Sequence, residues 1–320
     1  MKRRKFIKDS AIVGAVSVSP TYILANSGMY SNDKFRSVHR ILTAGSTFVG
    51  TLPILRAFAG DHLDYVSPFV LFDEFGPVKI SPESDALKVE AHPHAGVIPT
   101  TYFASGSGHH KDSLDYDFQI NTGEFMMFSS GKGAIHMEES GNELKENGGE
   151  LHGFQIWLNM PSKFKWDDPS TVVYGTEIMP TVVHEHFTAN VVMGSLFGHT
   201  SKVETLSPAF YYHIKLDADK RLDIPTDPNH NAFVYTVSGE LEIENQKRLL
   251  QHQVALYERG KSDINLYTKE GAEFFVLGGQ PLDEVVFSYG PFVMNTEEEI
   301  RRCIHNYNVG NMGNPAIVNQ

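Results

Sequence analysis

From about residue 38 to residue 290 the chain alternates short apolar runs with turn signals. The runs include Pro99–Phe103, Phe125–Phe128, Phe154–Leu158 and Ala232–Val237. Between them stand Ser105-Gly106-Ser107-Gly108, Asn121-Thr122-Gly123 and Ser238-Gly239. Short strands at this spacing predict β-barrels or sandwiches. One segment departs from the pattern. After Pro291 comes Asn295-Thr296-Glu297-Glu298-Glu299-Ile300-Arg301-Arg302. Thr296 with Glu299 three residues on forms a capping box, and acids followed by arginines suit the helix dipole. The spacing predicts a helix over 297–307, ending before Gly310. The expected class is all-β with a short C-terminal helix.

A weak internal repeat refines this. Thr101-Tyr-Phe-Ala-Ser-Gly106 is echoed by Tyr235-Thr-Val-Ser-Gly239, each with histidine upstream: His92 and His94 in one case, His230 in the other. Likewise Gly123-Glu-Phe-Met-Met-Phe before Gly131-Lys132-Gly133 is echoed by Gln253-Val-Ala-Leu-Tyr before Gly260-Lys261. Two copies of one barrel are expected, over 38–165 and 185–290, with the helical element over 291–310. The stretch 160–190, with Pro161, Pro169 and Pro180, reads as a linker.

Residues 1–25 are of another kind. A basic start with Arg3-Arg4 and Phe6-Ile7-Lys8 leads into a small apolar run, Ala11–Val18, and then Ile23-Leu24-Ala25. This resembles a twin-arginine export signal, on a pathway that moves folded proteins. It implies export to the periplasm with the twin-arginine machinery as a partner. The apolar run is too short to span a bilayer, and no later stretch reaches 18 apolar residues, so no stable membrane insertion is expected.

Charge and cysteine content narrow the chemistry. The 320 residues carry a net charge of −12, and without residues 1–25 there remain 22 basic against 38 acidic side chains. An acidic chain without clustered Lys and Arg argues against duplex nucleic acid as a partner. The single cysteine, Cys303, excludes an internal disulfide, a zinc–thiolate cage and an iron–sulfur site, so a metal must use His, Asp or Glu.

His92-Pro93-His94 places two imidazoles at i and i+2, which share a face on a strand. His136-Met137-Glu138 repeats the spacing with an imidazole and a carboxylate. Side by side, two such strands would gather three nitrogens and one anionic oxygen. Spacing alone leaves open whether these four are ligands or a coincidence among 15 histidines. His184-Glu185-His186 reads as a solvated linker or strand face, and His109-His110 as an exposed loop beside a glycine-rich turn.

The order His-x-His, glycine turn, Gly-x-x-His-x-Glu resembles the cupin superfamily and, within it, the pirin family. The resembling segments are Phe69–Pro77, His92–Gly96, Ser129–Glu138, His152–Pro161 and Tyr289–Ile300. The resemblance implies a bicupin: two cupin-like barrels stacked face to face, with the C-terminal helix packed back on them. It implies one divalent metal, usually iron, held by His92, His94, His136 and Glu138; a set of this kind also suits zinc, copper, nickel or manganese. The second barrel, lacking a His-x-Glu after Gly260-Lys261, is expected to hold no metal. Some members cleave the flavonol quercetin with dioxygen, which implies a non-haem metal dioxygenase, an oxidoreductase with a phenolic substrate and dioxygen as reactants. Its metal would take the deprotonated 3-hydroxyl and neighbouring carbonyl, and Glu138 would accept that proton as catalytic base. The alternative is a metal-binding protein without turnover, a redox sensor or partner-recognition module. Ala95 stands where the family often has arginine, implying a changed charge at the cavity entrance.

Overall fold

The computed structural model describes residues 34–84 and 86–315. The export signal expected over residues 1–25 lies outside the described residues. Two barrels are built alike, each from a seven-stranded and a four-stranded antiparallel sheet. In the N-terminal barrel the larger sheet runs in the order Ser170–Tyr174, Phe125–Ser129, Val97–Ser105, Gly149–Asn159, Phe69–Ile80, Leu52–Ala59, Gly45–Val49. Its smaller sheet runs Val89–His94, Ala134–Ser140, Gly108–Asp112, Asp117–Ile120. The C-terminal barrel repeats this with a seven-stranded sheet centred on Ala272–Gly279.

The strands of the large sheets read as near-continuous apolar runs because both of their faces are buried. Alternate side chains enter different cores. Phe75, Phe103 and Met126 fill the N-terminal barrel, whereas Phe72, Tyr102 and Met127 point the other way. These meet Phe233, Tyr235 and Phe275 of the second barrel, so the main core is the seam between the two large sheets. Aromatic pairs cross it edge to face, Phe58–Phe233 at 5.3 Å and Phe154–Phe275 at 4.5 Å. Such pairs add about 0.5–1.5 kcal/mol each beyond simple burial.

A carboxylate sits in this seam. Glu74, two residues from Phe72, is buried and accepts from His152 Nε2 at 2.7 Å, His252 Nδ1 at 2.9 Å and the Tyr235 hydroxyl. Two of those donors belong to the opposite barrel.

Two edges differ from the sequence expectation. Val38–Thr43 does not open the N-terminal barrel; it pairs with Gln253–Tyr257 at the edge of the C-terminal sheet. The stretch 160–190 is also more than a linker. Ser170–Tyr174 pairs with Phe125–Ser129, and Thr181–Val183 pairs with Phe187–Met193, so it supplies an edge strand to each barrel. Proline-rich flanks hid these short strands. His184-Glu185-His186 falls at the turn of the second pair, largely exposed, as expected.

The C-terminal helix runs Glu297–Asn308 and its capping box is formed. It buries Ile300 and Cys303 against Ile135 and Met137, on the outer face of the small N-terminal sheet. No helix among the described residues is long and apolar enough to cross a membrane.

Lys165 holds the helix-bearing end in place. It is fully buried, and its Nζ donates to the carbonyls of Gly96 and Val293, each at 2.7 Å, and to Asn159 Oδ1 at 2.6 Å. Burial pushes its pKa down to about 8. Lys165→Met would remove the ammonium donor from three buried acceptors, of which, among the described residues, only the Gly96 carbonyl keeps another, the Met160 N–H at 3.3 Å. The expected loss is roughly 3 kcal/mol, a fall of about 6–12 °C in calorimetric Tm; a shift below about 2 °C would contradict the assignment.

Candidate metal centre

Strands Val89–His94 and Ala134–Ser140 pair antiparallel, with His92 opposite His136 and His94 opposite Ala134. The ladder slips between His136 and Glu138, so that Glu138 falls opposite Val89. A slip of this kind re-aims the side chains beyond it. Gly96 ends the turn after His94 with φ +72°, and a Cβ there would lie 2.1 Å from the Val293 carbonyl oxygen. Only glycine lets the strand leave the site at this point.

His92, His94 and His136 each bring a ring nitrogen within 4.8 Å of the others. The Nε2 atoms of His92 and His136 are 3.1 Å apart. His92 donates its Nδ1–H to the Glu90 carbonyl at 2.8 Å, which leaves Nε2 as a bare lone pair. His94 is 1% exposed, and neither of its nitrogens has a hydrogen-bond partner of normal geometry. The rings are fixed by aromatic neighbours: Phe128 stacks on His136 at 4.6 Å, and Trp157 meets His94 edge to face at 4.9 Å.

Burial and then the neighbouring imidazoles hold His94 and His136 well below the ordinary histidine range, the Pro291 carbonyl offsetting part of this for His94. Burial lowers His92 as well, against the pull of the Glu90 carbonyl. The cluster is therefore neutral at pH 7, the state in which imidazole binds metals. Orphaned buried nitrogens and converging lone pairs fit a cation at their centre.

Glu138 stands beside this trio, grouped with His136 and His110. Its Oε1 accepts from the Thr101 hydroxyl and its Oε2 from Gln155 Nε2, both at 3.0 Å. Gln155 Oε1 in turn faces Trp157 Nε1 at 3.3 Å, which settles the orientation of the amide. His92, His94 and Glu138 line one side of a cavity of about 370 Å³, whose other walls include apolar Leu52, Ile54, Leu87 and Val89. Arg56 enters it too, its fork engaged by Asp73 at 2.8 and 2.7 Å. Among the described residues Nη1 of Arg56 has no partner.

Two sequence expectations fail here. His109-His110 is not an exposed loop: it lies on strand Gly108–Asp112, and His110 is fully buried with its ring 5.2 Å from that of His136. His110 and Asp112 share one face at i and i+2, the same signal that marked His92 and His94. Ala95 is not at the cavity entrance; it is fully buried and packs with Phe292 and Met294 beneath the C-terminal helix.

Two barrels with paired His-x-His and His-x-Glu strands in the first define a bicupin. Residues 52–158 match the family model described as Pirin and residues 211–313 the one described as Pirin C-terminal cupin domain. The chain is 31% identical over 257 residues to pirin of Rattus norvegicus, covering 78% of this chain and 84% of that protein. It is 29% identical over 261 residues to a Pseudomonas aeruginosa protein provisionally named quercetin 2,3-dioxygenase, covering 81% and 91%. The crystal structure of quercetin 2,3-dioxygenase from Acinetobacter baumannii superposes with a TM-score of 0.84 at 28% identity, covering 88% of this chain and 99% of that one. The chain belongs to the pirin family.

Proposed function

We propose that this pirin is a non-haem metal dioxygenase acting on a flavonol or related phenolic compound such as quercetin. His92, His94, His136 and Glu138 would hold one divalent transition metal, iron by family habit. The observation that carries the reading is the convergence of three neutral imidazoles, two of them fully buried, beside an apolar-walled cavity that His92, His94 and Glu138 line. The names of the Pseudomonas and Acinetobacter relatives support the reaction class.

When bound, the metal supplies a Lewis acid and an electron path between phenolic substrate and dioxygen. The chain's own groups do the rest. The apolar wall of Leu52, Ile54 and Val89 takes a flat aromatic ring and excludes water. Each oxygen of Glu138 accepts one hydrogen bond and keeps a further lone pair, one of which takes the substrate hydroxyl proton. Arg56, neutralised by Asp73, offers its free Nη1 to a substrate oxygen.

Oxygen uptake with quercetin by the metal-loaded protein tests this, with His92→Ala as the control. The expected result is uptake in the wild type and a fall of at least about 100-fold in the variant, as for loss of a group the chemistry requires. Flat traces with quercetin and several catechols, in protein that does hold metal, would favour a non-catalytic redox sensor or partner-recognition role.

The leader extends the proposal to the cell: the protein folds and takes its metal before export to the periplasm. Raw affinity of nitrogen and oxygen sites favours copper and zinc over iron and manganese, so a site filled outside the cytoplasm would follow that order. Exchanging residues 1–25 for a leader that exports unfolded chains is expected to replace the native metal by zinc or copper in elemental analysis. Unchanged metal content would count against folding before export.

A further inference from the structure

Behind His136 lies a row of buried groups that the proposed reaction does not use. Three donors and one imidazole nitrogen surround the carboxylate of Asp112. Its Oδ1 accepts from the backbone N–H of Leu114 at 2.9 Å and of Tyr116 at 3.3 Å. Its Oδ2 accepts from the Thr171 hydroxyl at 2.5 Å and faces His110 Nε2 at 3.0 Å. With two N–H groups on Oδ1 and a hydroxyl on Oδ2, Asp112 is held as the carboxylate, which can only accept. The proton of that last bond therefore sits on His110 Nε2. A neutral imidazole has one N–H, so His110 Nδ1 is an acceptor. It lies 3.3 Å from His136 Nδ1, which must then be the donor. The consequence is a bare lone pair on His136 Nε2, the atom 3.1 Å from His92 Nε2.

We infer that Asp112 and His110 are positioning residues that lock His136 in its Nδ1–H tautomer and so present Nε2 to the metal. Thr171, on the edge strand Ser170–Tyr174 of the N-terminal barrel, orients Asp112 and completes the row. The inference rests on the reading of His136 as a ligand. Outer partners of this kind set both the tautomer and the direction of a ligating histidine, and losing them costs about 10–100-fold in metal affinity.

The isosteric Asp112→Asn variant tests the lock. Its amide would offer an N–H to His110 Nε2, invert both imidazoles in turn and leave the proton on His136 Nε2. The measurement is nitrogen–proton correlation NMR of the metal-free protein with ¹⁵N-labelled histidine, His136 being identified by the signals lost in His136→Gln. The wild type is expected to carry the proton on Nδ1 and Asp112→Asn on Nε2. Zinc release to a chelator is expected to be about 10–100-fold faster in Asp112→Asn. Adding His110→Asn, whose side-chain oxygen can accept from His136 Nδ1 without any link to residue 112, is expected to restore the wild-type tautomer. A wild-type proton on Nε2, or an Asp112→Asn protein with the proton still on Nδ1, overturns the lock. Because the tautomer is read without metal, a chain that binds no zinc would sink the proposed function while this assignment is still decided by the NMR signals.

Discussion

The His94→Leu variant, stripped of metal, is expected to melt above the equally stripped wild type, and to gain nothing when metal is added. His94 is buried between Trp157 and Phe128, and both its nitrogens lack a proper hydrogen-bond partner. An unsatisfied buried polar group costs about 1–3 kcal/mol, and an apolar side chain of similar size removes that cost. The metal-free melting point should therefore rise by about 2–12 °C. The wild type recovers its loss only through binding, worth about 4 kcal/mol at a free metal concentration a thousandfold above Kd. The same position sets an acid dependence. Folding holds His94 neutral well below the ordinary range, while the unfolded chain protonates it near pH 6.5. The metal-free wild type thus keeps its stability above about pH 6.5 and loses it as pH falls from there towards the depressed folded pKa. Each such histidine contributes up to about 1.4 kcal/mol per pH unit in that window. His94→Leu should flatten the slope by one histidine's share. Calorimetry with and without zinc, and urea unfolding from pH 7 to 5, check both statements. A variant that melts below the metal-free wild type, or one still stabilised by zinc, would refute the argument.

The second large effect belongs to the seam. Glu74→Ala is expected to cost about 2–5 kcal/mol, because a buried donor left without its acceptor costs about 1–3 kcal/mol. Buried His152 and Tyr235 and the partly exposed His252 would each lose this acceptor. Glu74→Gln, which keeps the shape but turns one end into a donor, should fall between wild type and alanine. Urea unfolding followed by fluorescence measures the order of the three proteins. Equal midpoints for all three would mean that the cluster contributes nothing to joining the barrels.

The barrels, the capped helix and the two histidine-bearing strands are legible in the sequence because each has a local signature. Alternation brings His92 beside His94 and His136 beside Glu138 whatever the rest of the fold does, and Thr296 with Glu299 marks the start of a helix by itself. What stayed hidden depends on partners far along the chain. In the sequence His110 resembles a loop residue because Gly106, Ser107 and Gly108 precede it, and only pairing with Ala134–Ser140 makes its strand a buried one. Ser170–Tyr174 reads as linker in the sequence because an edge strand needs just one neighbour, here Phe125–Ser129, and carries little pattern of its own. Asp73 and Glu74 are adjacent and equally acidic in the sequence. Alternation sends the first into the cavity beside Arg56 and the second into the seam.

The first strand carries a consequence for anyone wishing to take the molecule apart. Val38–Thr43 closes the rim of the far barrel although its neighbours in sequence build the near one. A fragment starting around residue 185 would leave Gln253–Tyr257 with a bare row of amides and carbonyls, a surface on which other copies can stack. A dissected second half would therefore need residues 38–43 grafted back, as a tether or an added peptide, to stay in solution as single molecules.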